Sequence, residues 1–126
     1  MGPGLDGIVA PKVDTVEDML LLGHLLDERE ARAGLARGSV QIIAAIESAT
    51  GLLHAHAIAA ASPRVVGLMF GAEDFALDIG LATLREDEAS ELLYARSALV
   101  FAAVAAQKPF LRRRLAGYCG RRRAAS

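Results

Sequence analysis

The fold prediction depends on two stretches of sequence, VQIIAAIESATG at residues 40–51 and VVGLMFGAEDFALDIG at residues 65–80. Each begins with an apolar run rich in β-branched or bulky side chains, which is typical of strands buried on both faces of a parallel sheet. The segment between them is about as long as a right-handed βαβ crossover requires. We therefore expect an α/β fold in which these two strands are parallel neighbours.

Both apolar runs lead into carboxylates. Glu47 follows the first run directly, and Asp74 follows the second after Gly71, Ala72 and Glu73. Because neighbouring parallel strands end at the same edge of a sheet, where such folds bind ligands, the two carboxylates are expected to converge there. They would repel each other unless protonated or bridged, and a hard divalent cation such as Mg²⁺ is the natural bridge. Taken alone, Glu47 could also be an ordinary polar strand end and Asp74 a helix cap.

Four segments together resemble the HpcH/HpaI aldolase and citrate lyase β-subunit family. They are LDGIVAPKVDTVED (residues 5–18), IESATG (46–51), IAAASPRVVGLMFGAEDFALDIG (58–80) and YARSALVFAAVAAQKP (94–109). The resemblance runs from about residue 4 to residue 109. Members of this family are eight-stranded β/α barrels that make or break carbon–carbon bonds next to a carbonyl. GAED, where the pyruvate aldolases typically show GPAD, indicates the acyl-CoA lyase branch.

The resemblance implies a Mg²⁺ site formed by Glu47 and Asp74, which would act on a citryl-, malyl- or citramalyl-CoA-like thioester of a 2-hydroxy or 2-oxo acid. Gly71, Ala72 and Glu73 are expected to contribute to substrate binding, the first two through backbone N–H groups. Gly71 could equally be needed only for its turn conformation. Members of the family commonly form homo-oligomers, and their partners are oxoacids or acyl-CoA thioesters.

The length of 126 residues indicates a partial TIM-type β/α barrel, because a complete barrel needs roughly 250 residues. We expect about three βα units with parallel strands. The predicted strands are residues 7–10, 40–46 and 65–70. The first helix follows a cap at Asp14 or Thr15, and further helices are predicted near residues 51–61, up to residue 80 and over residues 86–107. Members of the family carry an arginine and an acidic cluster on earlier strands, and the residues before Gly4 cannot supply them. We therefore expect this chain to hold part of a lyase site and to be inactive alone.

The last residues differ in composition from the rest. Residues 1–108 carry eight basic and fifteen acidic side chains, whereas residues 109–126 carry six arginines and no acid. We expect a barrel domain over residues 1–109 and a basic, disordered tail outside the family pattern over residues 110–126, as the frameshifted end of a longer gene would produce. The alternative is a binding module whose arginines contact nucleic acid or an anionic surface, although no recognition motif accompanies them. A nucleotide-binding domain is disfavoured because no Gly-rich loop is present.

For several other residues the sequence favours a surface or structural role. Lys12 could contact an anionic substrate or be simply solvated, and Arg96 is expected to form a salt bridge. Asp78 is expected to be exposed or structural, and His24, His54 and His56 to lie on the outer helices. The single cysteine, Cys119, fits a reducing cytoplasm, and we find neither a signal peptide nor an apolar run long enough to span a membrane.

Overall fold

The computed structural model describes residues 6–81 and 90–112. Within them, four strands form one parallel sheet in the order β1-β2-β3-β4. The predicted α/β fold with parallel strands is therefore confirmed. In chain order the elements are β1 (Gly7–Ala10), α1 (Val16–Ala33), β2 (Gln41–Ile46), α2 (Ala49–Leu53), α3 (Ala55–Ala59), β3 (Val65–Phe70), α4 (Ala72–Asp78), α5 (Ser90–Ala105) and β4 (Phe110–Leu111).

The core lies between the sheet and its helices. Alternate residues of β2 and β3 face the helices, as expected where side chains point to opposite sides of a strand. The opposite face of the sheet carries the register-paired residues Val9 and Ile43, followed by Ala45, Met69 and Leu111. The core cluster on the helical side includes Ile42, Ala44, Ile46, Leu68 and Phe70 from the strands and Met19, Leu26, Ile58, Leu92 and Leu99 from the helices.

Local sequence signals explain how the helices begin and end. Thr15 caps α1 by accepting a hydrogen bond from the Asp18 N–H, and the Asp18 side chain accepts in return from the Thr15 N–H. Gly34 ends α1 in the left-handed conformation at φ 73°. The single helix predicted near residues 51–61 is instead two short helices, which meet at His54. No described helix is long and apolar enough to cross a membrane.

A bulge in β3 sets the pairing at the end of the sheet. Ile42 pairs with Val65 but Ile43 pairs with Gly67, so that β3 holds one extra residue, Val66. After this shift Ile46 pairs with Phe70. The residues that follow the two strands, Glu47 and Gly71, therefore come side by side.

The sheet continues two residues past the predicted boundary at residue 109. Phe110 and Leu111 form β4, which pairs with Leu68 and Met69 of β3. Lys108 supports this connection because its ammonium donates to the Ala59 carbonyl at 3.0 Å and also to the Val65 carbonyl. The edge of β3 offers free backbone groups, and the apolar residues Phe110 and Leu111 pair with it. The prediction of a disordered tail from residue 110 on is therefore wrong for these two residues. The remainder of the predicted tail, from residue 113 on, lies outside the described residues.

Candidate functional site

The two predicted carboxylates meet at the carboxyl-end edge of the sheet. Glu47 is the first residue after β2, and Asp74 lies in the first turn of α4, immediately beyond β3. Their carboxyl groups are close enough for Asp74 to raise the pKa of Glu47. Glu47 is half-buried and Asp74 is exposed, so the pair opens towards solvent.

The electrostatics of this pair favour a bound positive charge. Burial raises the pKa of Glu47, and the adjacent Asp74 carboxyl raises it further. The Lys12 N–H acts in the opposite direction because it donates to Glu47 Oε1 at 3.1 Å. A cation placed between the two carboxylates would remove their mutual repulsion.

Gly71 leaves the space that Glu47 occupies. A Cβ atom at position 71 would lie 2.5 Å from Glu47 Cγ and 2.9 Å from Glu47 Cδ. The backbone of Gly71 has φ −96°, which any residue can adopt, so the turn does not require glycine for its conformation. The requirement is steric: a side chain here would displace the Glu47 carboxylate.

The N–H of Gly71 has a different partner from the one predicted. We expected it to face a substrate carboxylate, but it donates to the Ile46 carbonyl at 2.9 Å and so extends the β2–β3 pairing. Ala72 is half-buried against the core, and Glu73 is exposed in the first turn of α4. Substrate binding by Ala72 and Glu73 stays a prediction.

Three hydrogen bonds fix the backbone that follows Glu47. Ser48 Oγ donates to Asp14 in the loop before α1 and accepts from the Gly51 N–H at 2.9 Å. On the other side, the Ala49 N–H donates to Asp78 Oδ2 at 2.8 Å. Asp78 was predicted to be exposed or structural, and it is both. The segment carrying Glu47 is thus tied to the loop after β1 and to α4.

The donor set fits a magnesium ion. Among the described residues, no group of three or more His, Cys, Asp or Glu side chains is arranged to hold a metal. Mg²⁺ in proteins needs no such cage, because one or two carboxylates commonly bind it while water and substrate oxygens complete the octahedron. Glu47 and Asp74 supply two hard oxygen ligands at an open edge, which suits this pattern.

Other residues singled out in the sequence have contacts of their own. His24 is exposed on α1, 3.6 Å from Glu28, and His54 contacts the Thr50 carbonyl through Nδ1 at 2.9 Å. The guanidinium of Arg96 lies over the Phe70 ring, 5.4 Å from its centroid. Of the arginines that the nucleic-acid alternative would use, only Arg112 is within the described residues, where it is exposed.

A buried ionic cluster at the opposite end of the sheet was not predicted. Arg64, directly before β3, donates to both carboxylate oxygens of Glu30, at 2.7 and 2.9 Å, and to Asp27. Glu30 is fully buried, and the hydrogen bond from Arg64 lowers its pKa to about 2. In the sequence, Glu30 sits in the charged stretch DERE of α1 and resembles a solvated residue.

This cluster lines a cleft of about 510 Å³ between α1 and the loop before β3. The cleft contains neither of the two carboxylates at the other end of the sheet. Its charged side chains Asp27, Arg37 and Arg64 are already joined by ion pairs. We therefore assign a structural role to the cluster and place the candidate chemistry at Glu47 and Asp74.

Comparison with known proteins agrees with this geometry. The sequence model of the HpcH/HpaI aldolase/citrate lyase family matches residues 1–111. The chain belongs to this family. The match ends at Leu111, the last residue of β4.

Two curated relatives illustrate the branch. The citrate lyase subunit beta of Haemophilus influenzae is 41% identical over 103 residues, which are 82% of this chain and 35% of the relative. The L-malyl-CoA/beta-methylmalyl-CoA lyase of Rhodobacter capsulatus is 42% identical over 80 residues, which are 63% of this chain and 24% of the relative. The predicted resemblance to the acyl-CoA lyase branch is confirmed. The chain spans about a third of the length of the citrate lyase subunits that it matches.

A solved structure supports the fold. The citrate lyase beta subunit of Mycobacterium tuberculosis, complexed with oxaloacetate and magnesium, superposes with a TM-score of 0.66 at 27% identity. The superposition covers 85% of this chain and 42% of that one. The described residues therefore form part of a β/α barrel, as predicted from the sequence.

Proposed function

We propose that this chain carries the metal-binding part of a magnesium-dependent carbon–carbon lyase that acts on citryl-, malyl- or citramalyl-CoA-like thioesters. The observation that carries the proposal is the convergence of Glu47 and Asp74 at the carboxyl ends of two adjacent parallel strands. Family membership supports it, as does the magnesium and oxaloacetate held by the related citrate lyase beta subunit.

Each residue of the site has a defined part in the proposal. Glu47 and Asp74 hold the ion, Gly71 leaves room for the Glu47 side chain, and the Lys12 N–H orients its carboxylate. When bound, the ion would supply Lewis-acid polarisation of a carbonyl oxygen in a 2-oxo or 2-hydroxy acid. Because Asp74 is exposed and Glu47 half-buried, the acid can approach from the open edge of the sheet. Ala72 and Glu73 border that edge and are the proposed substrate neighbours.

Magnesium titration of the full chain tests the proposed site. Isothermal titration calorimetry should show binding of one Mg²⁺, and Glu47→Gln and Asp74→Asn should each weaken it by about 10–100-fold or more, since each removes a charged ligand. Glu28→Gln, an exposed carboxylate on α1, is the matched control and should bind as tightly as the unchanged chain. Undiminished affinity in either site variant would contradict the assignment of that residue.

Turnover is expected to need more of the barrel than this chain provides. Since the chain spans about a third of its citrate lyase relatives, we propose that further strands, and neighbouring subunits of a cytoplasmic homo-oligomer, complete the substrate site. The purified 126-residue chain with Mg²⁺ should therefore cleave none of citryl-, malyl- and citramalyl-CoA at an appreciable rate. Robust release of acyl-CoA by this chain alone would contradict the proposed division of the site.

A further inference from the structure

Lys12 has an unusual backbone conformation for its residue type. Its φ of 52° lies in the left-handed region, and Gln107 is the only other non-glycine residue with positive φ in the described part of the chain. Side chains with a Cβ atom adopt this conformation at a cost, and such strain is concentrated at functional sites.

The left-handed turn aims two consecutive N–H groups at the end of β2. The Lys12 N–H donates to Glu47 Oε1 at 3.1 Å, and the Val13 N–H donates to the Ala45 carbonyl at 3.2 Å. The turn therefore closes the loop after β1 against the Glu47 carboxylate. It also brings the Lys12 side chain to the edge of the sheet where Glu47 and Asp74 meet.

The Lys12 ammonium is available for a ligand. The side chain is exposed, and within residues 6–81 and 90–112 it forms no ion pair. It is nevertheless close enough for its charge to lower the pKa of Glu47, opposing the effect of burial. Two other described cations are engaged elsewhere, because Arg64 pairs with Asp27 and the buried Glu30, and Lys108 donates to backbone carbonyls.

The charge balance of the site calls for such a cation. A divalent ion between Glu47 and Asp74 is neutralised by the two carboxylates, so the loaded pair has no net charge with which to attract an anion. A 2-oxo acid carries at least one carboxylate at neutral pH. A separate positive group beside the metal would bind that carboxylate through a charge-assisted hydrogen bond.

We propose that Lys12 is the anion-binding residue of this site: its ammonium takes a carboxylate of the 2-oxo acid, while its left-handed backbone holds Glu47 in place. This inference rests on the proposed function, because it presupposes the metal between Glu47 and Asp74. It goes further by separating the contributions of the side chain and the backbone of one residue.

Two substitutions remove the side-chain contribution and keep the backbone N–H. Lys12→Gly removes the ammonium but keeps the N–H and favours the left-handed conformation, whereas Lys12→Ala removes the ammonium and keeps the strain. Lys12→Arg retains the charge. Arg29→Ala removes one positive charge from the exposed surface of α1 and is the control for net charge. The full chain and each variant are titrated by calorimetry with Mg²⁺ alone, and the magnesium-loaded proteins are then titrated with oxaloacetate.

We expect Lys12→Gly and Lys12→Ala to weaken oxaloacetate binding by about tenfold or more, as for the loss of a hydrogen bond to a charged group. Neither variant should weaken Mg²⁺ binding, because both keep the N–H and neither adds a competing cation. Lys12→Arg should restore most of the oxaloacetate affinity, and Arg29→Ala should match the unchanged chain.

The possible failures are distinguishable. If the unchanged chain binds no Mg²⁺, the metal site is wrong and the role of Lys12 falls with it. If Mg²⁺ binds but the chain takes up no oxaloacetate, or takes it up equally well without the Lys12 ammonium, only the role of Lys12 is overturned. Loss of oxaloacetate binding in Lys12→Arg to the same extent as in Lys12→Ala would also contradict a role based on charge.

Discussion

Replacing Gly71 by alanine should displace Glu47 and weaken metal binding without unfolding the protein. The new Cβ would lie 2.5 Å from Glu47 Cγ, whereas carbon atoms in ordinary contact are about 3.5–4.0 Å apart. The Glu47 side chain must therefore move by about 1 Å or more, which separates its carboxylate from the Lys12 N–H and from Asp74. The backbone at residue 71 tolerates alanine, because its φ is −96°.

The expected magnitudes follow from this displacement. Overpacking of this kind costs about 1–3 kcal/mol of stability, and we expect the lower part of that range because Glu47 faces the open edge of the sheet. Loss of an oriented ligand should weaken Mg²⁺ binding by about 10–100-fold. Calorimetric titration measures the affinity, and urea denaturation followed by circular dichroism measures the stability.

Gly23→Ala is the matched control for Gly71→Ala. A Cβ atom at Gly23 would have Arg64 Nε as its nearest neighbour, at an ordinary 3.9 Å, and the helix should gain about 0.5–1 kcal/mol from losing a glycine. Magnesium affinity should not change. In a Glu47→Ala background the destabilisation by Gly71→Ala should largely disappear, since Cγ is absent. Unchanged Mg²⁺ affinity in Gly71→Ala would contradict the steric role assigned to this glycine.

Three further predictions concern the framework of the site. Arg64→Met should cost about 3–5 kcal/mol, because it leaves the fully buried Glu30 without its ion pair, and adding Glu30→Gln should recover part of the loss in urea denaturation. The folded protein holds the pKa of Glu30 at about 2 instead of the usual 4.5, so ionised Glu30 stabilises the fold above pH 4.5 by about 3 kcal/mol. This contribution should disappear as the pH falls towards 2. Glu30→Gln should flatten that part of the profile of stability against pH. Gly51→Ala should destabilise by about 1–3 kcal/mol instead of stabilising its helix, because the new Cβ would lie 2.5 Å from the Val13 carbonyl oxygen; a rise in melting temperature would contradict this contact.

The strands and the meeting of the carboxylates could be predicted because they depend on regular periodicity. An apolar run buried on both faces identifies β2 and β3, and parallel pairing places Glu47 and Asp74 at one edge whatever the details of packing. The family motifs added the metal and the lyase chemistry. These parts of the prediction required no knowledge of individual contacts.

The steric role of Gly71 could not be predicted, because it depends on the bulge at Val66. Without that extra residue, Phe70 instead of Gly71 would lie beside Glu47. A bulge has no strong signature in a continuous apolar run such as VVGLMF, since every register buries apolar side chains. The sequence therefore suggested a turn or an available N–H, neither of which is the reason for the glycine.

The Arg64–Glu30 ion pair was missed for a related reason. The two residues are 34 positions apart, and only the packing of α1 against the loop before β3 brings them together. Glu30 lies within a highly charged helical stretch, where the ordinary expectation is solvent exposure. Its burial is visible only in three dimensions, through the hydrogen bonds that it accepts from Arg64 and from the Val40 N–H.

The most direct test of the metal site is a crystal structure of the chain with Mn²⁺ in place of Mg²⁺, using the anomalous signal of manganese. We predict one strong anomalous peak between Glu47 and Asp74, within about 2.5 Å of an oxygen atom of each carboxylate. Crystals of Glu47→Gln grown with the same metal should lack it. A peak bound by other residues, or no peak at this edge of the sheet under saturating Mn²⁺, would contradict the proposal that these two carboxylates form a metal site.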